Sequence, residues 1–362
     1  MTTHAQYESM SSEKVSSEEE DASGKIAFVT GGTGFVGSHL VDVLLERGYG
    51  EVRCLVRSEP KWLDEIKKEA GEQVTYAEGE LSDVELLWDV LSGVDIVYHV
   101  GGRTRAPAYE ALYDANVRST MNLMGAVKHA APNLDRVLVT SSLAAIGRCN
   151  AKEATEDMPL RPVSRYGRSK AEMEEAIREP HQMTESYVES LPITIVRPPA
   201  VYGPRDRDIL QFFQSVQRHV CPVAGSASEP AISLVHARDL ARGMVQCAES
   251  DAAEGGTYFL GSKRTYAWND VKAAAIDALD TWAITIPVPA PLIGVVGAIS
   301  ELAGRLAGEY PALNREKARE IRHACTICSS EKAMRDVGYR PEISLEDGVR
   351  KTINWYNERN WM

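Results

Sequence analysis

The stretch FVTGGTGFVGSHL constrains this chain more than any other. Gly31, Gly34 and Gly37 read as G-x-x-G-x-x-G, while Gly32, Gly34 and Gly37 satisfy G-x-G-x-x-G. The run follows an apolar strand pattern, KIAFVT, and opens a helical pattern from Gly37 to Glu46. Glycine permits a tight turn and close approach of backbone to a pyrophosphate, and the helix behind it offers free N–H groups and a positive dipole end. Gly31, Thr33, Gly34, Phe35, Val36 and Gly37 are therefore expected to line a nucleotide site.

Downstream, apolar strand patterns (EVRCLV, QVTYA, VDIVYHV, DRVLVTSS, ITIVRP) alternate with helical ones, including a helix around 114–130. Such alternation implies a parallel sheet with helices on both faces. The expected fold class is α/β, a Rossmann-type doubly wound parallel sheet with a smaller C-terminal substrate-binding lobe. Residues 24–200 form the nucleotide-binding part, completed by returning segments near 231–262, and 201–362 mainly the lobe and closing helices. Residues 1–23 form an acidic tail expected to be disordered, with neither an apolar signal core nor a basic leader.

At the end of the second strand an Asp or Glu would accept hydrogen bonds from a ribose 2′-hydroxyl, whereas a basic group favours a 2′-phosphate. The chain reads RCLVRSEP there: Val56 stands at or beside the acid's place, and Arg57 follows. NADP(H) is accordingly preferred, with NAD(H) still open. Glu80 and Leu81, after the third strand, are expected near the adenine, and Gly101 of HVGG beside the cofactor.

Tyr166 and Lys170 in SRYGRSK lie four apart, on one helix face that continues through Met173 and Ile177. Ser164 is a plausible N-cap, and Pro180 bounds the helix. A fixed ammonium favours phenolate, so Lys170 is expected to lower the Tyr166 pKa. Ser142, ending the fifth strand in VTSS, would hydrogen-bond a substrate oxygen while Tyr166 moves the proton.

With 40 basic and 52 acidic residues, the net charge of −12 excludes a nucleic-acid surface. Six scattered cysteines are expected as reduced, mostly buried thiols. Cys325 and Cys328, in an alternating strand-like run, would face opposite ways and are given no metal or redox role. The uncharged stretch Trp282–Ser300 is interrupted by Pro287, Pro289 and Pro291. It is too short to span a bilayer, and a lid, an apolar wall or a peripheral membrane contact stay open. The expected location is cytoplasmic, with a homodimer left open.

The motifs TGGTGFVG, HVGG, VTSS, YGRSK, VRPPAVYGP and LVHARDLARG together resemble an extended short-chain dehydrogenase/reductase, over roughly residues 25–360. That resemblance implies that Ser142, Tyr166 and Lys170 are catalytic, that Asn116 supports the lysine, and that Lys170, Tyr166 and Pro199 border the nicotinamide. HVGG and GEL depart from the family's H-x-A-A and G-D-L. Ala200 stands where nucleotide-sugar enzymes carry an asparagine, and the RPP form resembles the 3β-hydroxysteroid dehydrogenase and dihydroflavonol-reductase-like branch. The resemblance implies an NAD(P)-dependent oxidoreductase interconverting a secondary alcohol and a ketone on a bulky apolar small molecule. A 3β-hydroxysteroid or sterol, oxidised with or without C4 decarboxylation, is the leading expectation. A nucleotide-sugar epimerase or dehydratase and a non-catalytic nucleotide-binding regulator are the alternatives.

Overall fold

Runs of β-branched and aliphatic residues flanked by turn-formers become strands wherever both faces can be covered. In the computed structural model, which describes residues 22–149, 151–180, 185–224, 230–288 and 314–362, six such runs open the chain. They are β1 (Ile26–Thr30), β2 (Glu51–Val56), β3 (Val74–Glu78), β4 (Ile96–His99), β5 (Arg136–Thr140) and β6 (Ile193–Arg197). Seven shorter strands follow: β7 (Ala200–Tyr202), β8 (Val220–Ala224), β9 (Pro230–Ile232), β10 (Leu234–His236), β11 (Thr257–Phe259), β12 (Tyr266–Ala267) and β13 (Ile284–Val288).

The main sheet has seven parallel strands in the order β11-β6-β5-β4-β1-β2-β3. The order reverses between β1 and β4, so the chain leaves their C-terminal ends in opposite directions and opens a crevice there. The sheet is the expected Rossmann-type doubly wound fold.

The helices of the nucleotide-binding half are α1 (Phe35–Arg47), α2 (Trp62–Ala70), α3 (Val84–Leu91), α4 (Tyr109–Tyr113), α5 (Ser119–Ala130), α6 (Arg165–Arg178), α7 (Tyr187–Ser190), α8 (Leu210–Gln217) and α9 (Ala237–Glu249). The rest of the chain adds α10 (Trp268–Leu279), α11 (Arg315–His323), α12 (Glu331–Asp336) and α13 (Leu345–Glu358). One sheet face is covered by α1 and α9, through Leu40, Leu44, Leu240 and Met244. The other is covered by α3, α5 and α6, through Leu87, Leu123, Val127, Met173 and Ile177. A separate cluster joins α8, α10 and α13 through Phe213, Val271, Ile353 and Tyr356.

Three local expectations are corrected. The single helix around 114–130 is instead α4, one wide turn at Asp114–Arg118, and α5. In that turn the Ser119 N–H reaches back five residues to the Asp114 carbonyl, and the extra residue leaves Asn116 fully buried. The segment around Cys325–Cys328 is not a regular strand. It leaves α11 extended, with a single bridge between Ala154 and Cys328. Finally, not every cysteine is a free thiol: Cys149 and Cys325 form a disulfide across 176 residues of chain, while Cys54, Cys221, Cys247 and Cys328 are free and buried. Cysteine spacing carries no information about a contact closed by tertiary folding.

Trp282, Ile284 and Ile286 are exposed at the start of the apolar stretch, whose residues from 289 onward lie outside the described residues, as do positions 1–21 of the tail. No helix among the described residues is long and apolar enough to cross a membrane.

Candidate active site

The glycine turn joins β1 to α1. Gly31 has φ +76°, and a Cβ there would lie 2.6 Å from the Gly101 N atom. The Gly34 N–H donates to the Gly31 carbonyl at 2.9 Å, and a Cβ on Gly37 would overlap that same carbonyl oxygen. The turn can therefore be this tight only with glycine at these places. Gly34 is the N-cap of α1 and gives no side-chain cap, and the first turn holds no acid. The α1 N-terminus thus keeps the backbone donors and positive field that a pyrophosphate requires, and the cradle fits a dinucleotide. Thr33, Phe35 and Val36 sit partly exposed along it.

Around this cradle, the Gly101 N–H donates to Thr30 Oγ1 at 3.2 Å, tying the end of β4 to the end of β1. Arg57 is exposed directly after β2, while Val56 is buried. Glu80 is exposed after β3, and Leu81 packs partly buried against the α3 and α5 side of the core. Pro199 is buried beyond β6, and a Cβ on Gly261 would touch it at 3.5 Å.

Across the crevice, α6 begins at its N-cap Ser164, whose hydroxyl accepts from the Gly167 N–H at 3.0 Å. The helix packs on the short turn after β5, and a Cβ on Gly167 would press into the Ala144 carbonyl. This close approach brings Tyr166 to Ser142, whose side chain hydrogen-bonds the phenol. Ser142 Oγ also accepts from the Ala144 N–H at 3.1 Å, which fixes its rotamer. One turn deeper, Lys170 is buried and donates from Nζ to the Thr140 carbonyl at 2.7 Å. A Cβ on Gly102 would meet both Asn116 Oδ1, at 2.8 Å, and Lys170 Nζ, at 3.4 Å. Ser142, Tyr166, Lys170, Asn116 and the HVGG strand end therefore converge on one place.

Burial sets the electrostatics. It lowers the Lys170 ammonium to about 8, with the Glu174 carboxylate pulling the other way. Burial also pushes the Tyr166 phenol up to about 12, the Ser142 hydrogen bond opposing and the Glu320 charge adding to the rise. Here the expectation fails: Lys170 does not bring the phenol down in the nucleotide-free protein, because desolvation dominates and a carboxylate from α11 faces the ring. A phenol held this way is a proton donor at neutral pH.

Several participants carried no sequence signal. Ser169 is fully buried, accepts from Asn116 Nδ2 at 2.8 Å and donates to the Tyr166 carbonyl at 2.8 Å. Asn116 Oδ1 accepts from the Arg103 N–H at 2.7 Å, so the wide turn is locked to both α6 and the β4 loop. His99 is fully buried between Thr30 and Thr120, at 2.7 and 2.8 Å, and burial, followed by the Lys170 charge, lowers it to about 3. Glu174 is fully buried one turn below Lys170, bound by Arg197 at 2.8 and 2.6 Å and by Arg178 at 2.8 Å. Burial opposes its ionisation, yet the Arg197 hydrogen bonds and charge outweigh that and hold the carboxyl below its ordinary range. Glu174 was legible as the i+4 neighbour of Lys170. Glu316 and Glu320, which bind the Arg165 N–H at 2.7 Å and the Ser164 hydroxyl at 2.5 Å, were not.

A cradle for a dinucleotide facing a Ser/Tyr/Lys cluster across the switch point defines the nucleotide-dependent oxidoreductase class of extended Rossmann folds. The model of the NAD dependent epimerase/dehydratase family matches residues 27–261, and the chain belongs to that family. It is an NAD(P)-dependent enzyme of the extended short-chain dehydrogenase/reductase superfamily. It is similar to a ceramide reductase of Caulobacter vibrioides, 29% identical across 94% of this chain and 97% of that one. It is also similar to 3beta-hydroxysteroid-dehydrogenase/decarboxylase isoform 1 of Arabidopsis thaliana, 25% identical across 91% of this chain and 79% of that one. The fold matches the solved dTDP-glucose 4,6-dehydratase DesIV of Streptomyces venezuelae, which carries NAD, with TM-score 0.72 at 24% identity over 92% and 98% of the two chains.

Proposed function

We propose that this protein reduces a ketone to a secondary alcohol on a bulky, apolar, lipid-like substrate, using Tyr166 as proton donor and NADP(H) in preference to NAD(H). The observation that carries this is the buried contact of Tyr166 with Ser142 beside the Lys170 ammonium. When bound, the nicotinamide nucleotide supplies the hydride. Ser142 hydrogen-bonds the substrate oxygen and holds it against the phenol. Tyr166 gives its proton to that oxygen as negative charge develops. Lys170, anchored on the Thr140 carbonyl, stabilises the phenolate left behind, and the Asn116–Ser169 pair positions the β4 loop against α6.

The raised phenol pKa favours reduction, since oxidation would need the phenolate that burial disfavours. Arg57, exposed and without an acid beside it at the end of β2, supports the 2′-phosphate preference. Glu80, Leu81, Gly101 and Pro199 border the nucleotide in this assignment, and residues beyond 200 form the substrate lobe.

Ala200 is exposed at the start of β7 and offers no amide to a sugar-nucleotide diphosphate, which supports a non-sugar substrate. The ceramide reductase and hydroxysteroid relatives support two lipid classes, a 3-oxo acyl-chain amide and a sterol. The likeness to the reductase runs over almost both whole chains and shifts the leading substrate from a 3β-hydroxysteroid to a ketone on an acyl-chain lipid. The test is incubation of purified protein and NADPH with 3-oxo sphingolipids, 3-oxosterols and nucleotide sugars, following absorbance and product mass. Turnover of the nucleotide sugars alone would overturn the proposal.

A further inference from the structure

A cavity of about 700 Å³ opens beside the start of α6, lined by Arg148, Arg161, Pro162, Val163, Arg319 and His323. Three chain segments are pinned to build it. The Arg148 N–H donates to the Arg161 carbonyl at 3.0 Å, and the Arg161 N–H to the Ile146 carbonyl at 2.9 Å, so these two arginines sit side by side. The third segment, α11, is fixed at one end by Glu316 and Glu320 on Arg165 and Ser164. Just past its other end, the Cys149–Cys325 disulfide and the Cys325 N–H on the Gly147 carbonyl, at 2.6 Å, hold the chain down.

The arginines here differ from those around them. Arg165 faces Glu316, Arg197 faces Glu174 and Arg359 faces Glu65. Arg148, Arg161 and Arg319 have no side-chain hydrogen bond or ion pair among the described residues. Acids outnumber bases in this chain, so three uncompensated guanidiniums in one concavity create a local field opposite to that of the whole. Charge beyond about 8–10 Å is screened at physiological salt, so the local field governs what binds there. Planar guanidiniums match oxyanions with paired N–H donors. Three of them exceed what one carboxylate neutralises and suit a phosphate monoester, which carries about −1.5 to −2 charge.

Position ties the cavity to the reaction. Val163 precedes the N-cap of α6, and Tyr166 lies three residues beyond Val163. With Pro162, Val163 also gives the cavity an apolar wall that an alkyl chain can follow.

We infer that Arg148, Arg161 and Arg319 receive a phosphate-type head group carried by the lipid-like substrate whose ketone meets Tyr166. This rests on the ketone-reductase reading and adds that the substrate is an anionic amphiphile. The test is direct binding of octyl phosphate, inorganic phosphate and octanol to the NADPH-loaded protein by calorimetry. Each is compared between wild type and the exposed-surface variant carrying Arg148→Gln, Arg161→Gln and Arg319→Gln. Octyl phosphate is expected to bind wild type at least tenfold more tightly than the variant, with octanol and NADPH binding alike in both. Equal octyl phosphate binding in the two proteins overturns the site. Inorganic phosphate binding as tightly as octyl phosphate assigns the arginines to a free ion and overturns the substrate head group. These readouts need no turnover, so a failed ketone reduction would strike only the functional proposal.

Discussion

Replacing Glu174 with glutamine probes the foundation of the site. Glu174 and Arg197 are both buried, at 0% and 3% exposure, and their two short hydrogen bonds replace the water each has lost. Glu174→Gln keeps the shape but leaves the Arg197 guanidinium buried without its counter-charge. Breaking a buried pair from one side costs about 3–5 kcal/mol. Arg197 retains the Glu156 carbonyl at 3.0 Å, and Arg178 is partly exposed, so the lower end applies. At about 2 °C per kcal/mol in a chain of this size, melting should fall by roughly 6 °C. The same change removes the carboxylate that favours the Lys170 ammonium, so its value should drop below about 8. The alkaline limb of ketone reduction then moves to lower pH. Circular-dichroism melts at pH 7 and a pH profile of kcat test both together. A melt within 1 °C of wild type, with an unmoved limb, would refute the claim that this pair supports and tunes the lysine.

Three further outcomes are expected. Gly37→Ala pushes a methyl into the Gly31 carbonyl and opens the turn, so NADPH affinity read by nucleotide fluorescence should fall at least tenfold, with a folded circular-dichroism spectrum. Arg57→Glu places an acceptor where the 2′-phosphate would lie, and the ratio of kcat/KM for NADPH over NADH should drop at least tenfold; an unchanged ratio removes Arg57 from cofactor choice. Lys170→Met tests linkage. The folded lysine titrates at about 8 against 10.5 unfolded, so the unfolded state holds the extra proton between these values and stability from this group rises with pH across that window. At pH 7 the buried ammonium opposes folding by roughly 3 kcal/mol. Urea melts from pH 8 to 10 should show that rise in wild type and not in the variant.

Much of the sheet was legible because its strands are buried on both faces and read as continuous apolar runs between glycine turns. The α6 cluster was legible because residues four apart must share a face. What escaped depended on distant chain. Nothing local marks Glu316 and Glu320 as partners of a helix some 150 residues earlier, or pairs Cys149 with Cys325. The phenol shift escaped for a related reason: the sequence showed the lysine beside Tyr166 but not the desolvation around the ring, and desolvation prevailed. The wide turn at Asp114–Arg118 was hidden because its residues are ordinary helix formers.

The most direct test of the central claim is single-turnover reduction of a 3-oxo acyl lipid by NADPH-loaded wild type and Tyr166→Phe, monitoring nucleotide absorbance and alcohol product. Wild type should form alcohol and oxidised nucleotide in equal amounts. Tyr166→Phe should bind NADPH within twofold of wild type and react at least a thousandfold more slowly. Reduction at an undiminished rate by Tyr166→Phe would contradict the assignment of the proton to that phenol.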